Sequence, residues 1–90
     1  MKLEYAIEDF LNYCLFEKGL SDKTKESYLN DLTVYTDYLK KQGITTISEI
    51  SSEHIKAFLK DRYETEKTTT IAHNLTVIKN FHTYLLKEKI

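Results

Sequence analysis

Glu17-Lys18-Gly19-Leu20-Ser21-Asp22-Lys23-Thr24 decides the fold, because it reads as the end of one helix and the start of the next. Glycine enters left-handed backbone without steric cost, which suits the position just past a helix C-terminus that Gly19 occupies. Ser21 stands where an N-cap belongs, its hydroxyl able to accept a free amide of the first turn. Upstream, Leu3, Ile7, Phe10, Leu11, Cys14 and Leu15 recur at three- and four-residue steps, while Glu4, Glu8, Asp9 and Lys18 fall elsewhere. That is the period of an amphipathic helix. Downstream, Tyr28, Leu32, Tyr35 and Leu39 line one face of a second helix that stops at Lys40-Lys41-Gln42-Gly43. The two lysines suit the negative end of the helix dipole, and Gly43 suits the cap.

Further out, Ile44 to Ile50 is rich in β-branched residues and could be a strand. A single strand has no partner here, so the stretch reads as a connector whose Ile47 and Ile50 plug the core. Ser51 or Ser52 caps a third helix carrying Ile55, Phe58, Leu59 and Tyr63. The polar run Glu64 to Thr70 reads as a surface loop. A fourth helix follows from Thr69 or Thr70, with Ile71, Leu75, Ile78, Phe81 and Leu85 as its apolar stripe. The expected fold class is all-α, a compact four-helix domain spanning residues 1–90.

Composition agrees. Ninety residues make one small domain. With 41% hydrophobic and 30% charged residues, two Gly and no Pro, the chain is neither a disordered tail nor a Gly/Pro-rich linker. Its longest wholly non-polar run is Cys14-Leu15-Phe16, far short of the roughly 20 residues that span a bilayer, so no membrane partner is expected. No charged-then-apolar signal segment opens the chain. One cysteine cannot form an internal disulfide and fits a reducing, cytoplasmic setting.

The net charge of −1 argues mildly against nucleic acid, but its distribution does not. Residues 1–20 carry −2, 21–43 carry 0, 44–66 carry −2 and 67–90 carry +3. In the fourth helix, Ala72, Thr76, Lys79, Asn80, Thr83 and Lys87 fall opposite the apolar stripe, with His73 at the edge and no acid among them. Lysine, hydroxyl and amide groups on such a face can contact phosphates and base edges. A solvated surface helix explains the same pattern. In the second helix Lys23, Ser27, Asn30 and Val34 share an edge that Lys41 continues, with Glu26 and Asp37 beside it.

The Glu17–Thr24 string, followed by Ser27-Tyr28 and Asp31-Leu32, resembles the N-terminal SAM-like core-binding domain of tyrosine recombinases, the phage integrases and Xer-type enzymes. The likeness continues through Tyr38-Leu39, Gly43, Ile50, Ile55, Phe58-Leu59, Thr69, Leu75, Ile78-Lys79, Phe81 and Tyr84-Leu85. It implies a module that forms half of a C-shaped clamp on a recombination half-site, with its second and fourth helices toward the major groove. The expected partners are double-stranded DNA and other recombinase protomers. It further implies that the catalytic arginines, histidine and tyrosine belong to a separate C-terminal domain, so these 90 residues are not expected to be an enzyme. No cofactor or metal is implied.

The candidate contacts are Lys23, Thr24, Lys25, Ser27 and Asn30 on the second helix, and Thr69, Thr70, His73, Thr76, Lys79 and Asn80 on the fourth. The sequence departs from the family where relatives often place arginine, having His73, Lys79 and Leu29-Asn30 instead. Lysine lacks the bidentate fork of arginine, and Arg62 is the chain's only arginine. Tyr28, Tyr35 and Tyr84 fall on apolar faces and read as packing. Among rivals, an enzyme lacks support, since His54, His73, His82 and Cys14 are not at metal-ligand spacing. His82 reads as a core or boundary histidine. A helical protein-interaction module without DNA affinity remains the alternative, and it predicts an exposed apolar patch around Phe16, Val34 or Val77.

Overall fold

The computed structural model describes residues 1–88. Four helices follow in order: α1 (Leu3–Glu17), α2 (Asp22–Lys41), α3 (Ser52–Thr65) and α4 (Thr68–Lys87), with a single 3₁₀ turn at Ile47–Glu49 before α3. The described residues form no strand beyond one isolated bridge between Lys2 and Thr46. The fold class is all-α, as the periodicity requires.

The signals at the helix ends act as the sequence predicts. Gly19 takes φ +64° and Gly43 φ +84°, backbone that only glycine enters freely. The Leu20 N–H reaches six residues back to the Cys14 carbonyl at 3.3 Å, closing the end of α1. Ser21 accepts the Thr24 N–H at 3.2 Å and caps α2. Ser51 precedes α3, and its N–H donates to Nδ1 of His54 at 3.0 Å, so a histidine fills the reciprocal place that Glu or Gln usually takes.

The connector is pinned to the start of α1. Leu3 N–H donates to the Thr45 carbonyl at 3.2 Å, and Ile47 N–H donates to the Met1 carbonyl at 3.0 Å. The Glu49 carboxylate accepts from the Thr45 and Thr46 amides at 3.2 and 3.1 Å. These bonds, the Thr45 amide first, hold its carboxyl below the ordinary range. Ile44 is buried, while Ile47 and Ile50 are half-buried against the core.

All four helices contribute to one core. Phe10 of α1 meets Phe81 of α4 edge-on at 5.5 Å, and Tyr35 of α2 meets Phe58 of α3 at 5.1 Å. Tyr35 is fully buried, while Tyr28 and Tyr84 pack half-buried against the same cluster.

Four expectations need correction. The Glu64–Thr70 loop shrinks to Glu66-Lys67, because nothing in that run breaks a helix and polar residues suit an exposed helical turn. Lys67, and neither Thr69 nor Thr70, precedes α4. Tyr63 is exposed, its place toward the core taken by Arg62. In α4 the buried stripe is Ile71, Asn74, Val77, Ile78, Phe81 and Leu85. Leu75 is 41% exposed and Val77 fully buried, the reverse of what was expected for both. The stripe shifts because Asn74 is satisfied inside the protein.

Candidate nucleic-acid interface

Along α4, Thr69, Ala72, His73, Thr76, Lys79, Thr83 and Lys87 are exposed, and Thr70 and Asn80 are half-buried. Thr68–Lys87 contains no Asp or Glu. Thr76 Oγ1 donates to the Ala72 carbonyl at 3.0 Å, leaving its lone pairs toward solvent. Lys79 makes no ion pair among the described residues. A helical face without acids of its own attracts a polyanion through its lysines.

The α2 candidates divide. Lys23 and Asn30 are exposed and Ser27 half-buried. Thr24 has its hydroxyl 3.0 Å from that of Ser21, inside the cap of its own helix. Lys25 lies on the other flank, in a groove shared with α1 and lined by Glu4, Ile7, Glu8, Leu11 and Leu29. Lys25 therefore shares a groove with Glu4 and Glu8, apart from the Lys23 edge.

Where α2 meets α4, a polar network that sequence reasoning missed occupies the seam. The Asn74 side chain, 1% exposed, donates from Nδ2 to Asp31 Oδ1 at 2.7 Å. Its Oδ1 accepts from Arg62 Nε at 3.2 Å, and Arg62 pairs with Glu66 at 3.6 Å. Asp31 Oδ2 lies 2.5 Å from His73 Nδ1 as an ion-pair contact, off the line that a ring N–H hydrogen bond needs, and no other partner reaches it. The signal in the sequence was one amide at a core phase of α4, where the stripe otherwise calls for an apolar residue. Two consequences bear on phosphate binding. The chain's only arginine is committed between helices, and the imidazole of His73 already faces a carboxylate.

A second bridge joins the same two helices deeper down. The Tyr35 hydroxyl and His82 Nε2 share a hydrogen bond of 2.8 Å. Burial pushes the Tyr35 phenol up and the His82 imidazole down, so both stay neutral. His82 is thus the boundary histidine its position suggested. Cys14 is buried and free, its thiol raised by desolvation.

Among the described residues no cluster of His, Cys, Asp and Glu could hold a metal ion. No helix of the described residues is long and apolar enough to cross a membrane. Of the apolar patch that an interaction module needs, Phe16 is 83% exposed and Val34 is exposed, but Val77 is lost to the core.

A sequence profile described as the phage integrase N-terminal SAM-like domain matches residues 7–89. Among curated proteins, the chain is 44% identical over 92 aligned positions to the tyrosine recombinase XerD of Oceanobacillus iheyensis, covering 98% of this chain and 30% of that protein. It is 35% identical to XerD of Chlorobaculum tepidum, over 94% of this chain and 28% of that one. XerC of Oceanobacillus iheyensis is 28% identical, over 97% and 29%. The chain thus spans about 30% of the length of these relatives. No solved structure matches it.

Proposed function

The chain belongs to the phage integrase N-terminal SAM-like domain family, and on that premise we propose that it is the DNA-binding module of a tyrosine-type site-specific recombinase. In this proposal residues 1–90 form one unit that grips duplex DNA at a recombination half-site through α2 and α4. Strand cleavage and rejoining then fall to a part of the recombinase that these residues do not supply, and other protomers complete the complex. The module acts where the DNA is, in the cytoplasm.

The observation that carries the proposal is the exposed, acid-free face of α4, with Thr69, Thr76, Lys79 and Asn80 on it. Lysines anchor the helix on phosphates, while the hydroxyls and the Asn80 amide have the chemistry to touch base edges. With few cations and Arg62 withdrawn, affinity of the isolated domain is expected in the range of about 10⁻⁴–10⁻⁶ M seen for non-specific binding.

The test is titration of the domain with duplex DNA, followed through backbone amide shifts. Shifts concentrated on α2 and α4 that fade as salt rises support the proposal. Absence of binding at low salt, together with capture of a protein partner through Phe16, would replace it with the interaction-module function.

A further inference from the structure

We propose that Asp31 and Asn74 are positioning residues for DNA binding, their side-chain lock fixing the separation and register of α2 and α4; this rests on the assignment of those helices to the duplex. Asn74 is a nearly fully buried amide among Ile71, Val77, Ile78 and Phe81. A buried amide is costly unless its donors and acceptor find partners. Here Nδ2 donates to Asp31 on α2 at 2.7 Å, and Oδ1 accepts from Arg62 on α3 at 3.2 Å. One side chain therefore ties three helices together. Apolar faces alone tolerate small slips past one another, whereas hydrogen bonds of fixed length and direction do not. The lock extends to the surface, because Asp31 Oδ2 lies against His73, which is exposed on α4.

Asp31 is also a negative charge at the seam between the two helices. On charge alone, its removal strengthens binding to a polyanion. The lock requires the opposite when the hydrogen bond is lost with it. Asp31→Asn removes the charge and keeps the lock, since the introduced carbonyl still accepts from Asn74 and the introduced NH₂ faces His73. Asp31→Ala removes both. The two variants are therefore expected to move affinity in opposite directions.

Duplex binding is measured for the parent and both variants at a temperature where circular dichroism shows each fully helical, beside ¹H–¹⁵N spectra recorded without DNA. Asp31→Asn is expected to bind as tightly as the parent or more tightly. Asp31→Ala is expected to bind about 5-fold more weakly or worse, the low end of coupling between two sites. Its amide shifts should spread over residues 69–80 and leave α1 unchanged. Asp31→Ala binding as tightly as Asp31→Asn overturns the proposal, since Asp31 is then a charge and nothing more. If Asp31→Ala does not fold, Asn74→Ser replaces it: this exchange is charge-neutral, so unchanged affinity overturns the lock and weakened affinity supports it. A parent that binds no duplex refutes the DNA assignment instead. The DNA-free spectra then judge the lock by themselves, and unmoved α4 amides in both lock-breaking variants refute it.

Discussion

Reversing the charge of Lys79 is the perturbation that most directly addresses the face of α4. Lys79 stands exposed in the middle of a helix without a carboxylate, so glutamate there exchanges an attraction for a repulsion without touching the core. Lys23, Lys79 and Lys87 are exposed cations on the two helices assigned to DNA. If each meets one phosphate, log K falls with log salt at a slope of about −2.7, from roughly −0.9 per contact. Between 50 and 200 mM salt the parent then loses about 40-fold in affinity. Lys79→Glu deletes one contact, so its slope drops to about −1.8, and its affinity near 0.1 M salt falls by about 8-fold from lost counterion release alone. Repulsion adds to that and brings a weak complex to the edge of detection. Lys56→Glu and Lys60→Glu, exposed on α3, change net charge equally and supply the control. Fluorescence anisotropy with a labelled duplex across a salt series reads both slope and affinity. Equal loss in all three variants refutes the assignment of α4 to the duplex, because binding is then set by overall charge. An unchanged slope in Lys79→Glu refutes the phosphate contact itself.

Other expectations follow from packing and backbone. Phe81 is fully buried and meets Phe10 edge-on, so Phe81→Ala is expected to cost about 3–5 kcal/mol in a denaturant melt; a loss below 1 kcal/mol contradicts the core described here. Gly19→Ala meets no atom within 4 Å, so its cost is conformational only, about 1–2 kcal/mol from forcing alanine into left-handed backbone. A neutral result there shows that the α1–α2 turn can rearrange. Neutral His82 is favoured in the fold because burial lowers its affinity for a proton below the ordinary value near 6.5. Stability is therefore full above about pH 6.5 and erodes as pH falls toward the lowered folded value. His82→Gln is expected to flatten the melting temperature over that window relative to the parent, and parallel profiles contradict the assignment. No covalent protein–DNA adduct is expected with a nicked suicide substrate, and one such adduct on a gel refutes the absence of a nucleophile.

The ends of the helices were legible because their causes are local. Gly19, Gly43, Ser21 and Ser51 each act within a few residues, and all four are found where that short-range chemistry puts them. The run from Glu64 to Thr70 misled for the same reason: polarity describes exposure, and an exposed helical turn is as polar as a loop. The phase of α4 depended on residues far away. Hydrophobicity selects Leu75 for the core, yet Asn74 goes in because Asp31, 43 positions earlier, and Arg62, 12 positions earlier, receive its amide.

The same distinction separates the candidate contacts. Thr69, Thr76 and Lys79 are exposed simply because they lie opposite the stripe, which the period alone decides. The flank taken by Lys25 depends on where α1 packs, and the carboxylate that His73 faces comes from Asp31 on another helix. Neither can be read from one helix at a time. Arg62 shows the consequence most clearly. From composition it is the best phosphate ligand in the chain, with a fork suited to bidentate recognition. Its guanidinium instead holds Asn74 and Glu66, between α3, α4 and the turn that joins them. The strongest cation is thus committed to the geometry of the helices, and the proposed contact with DNA falls to lysines and small polar groups. On the proposed function, a domain built this way is expected to hold DNA weakly and reversibly, with an affinity set by how accurately α2 and α4 are placed against each other.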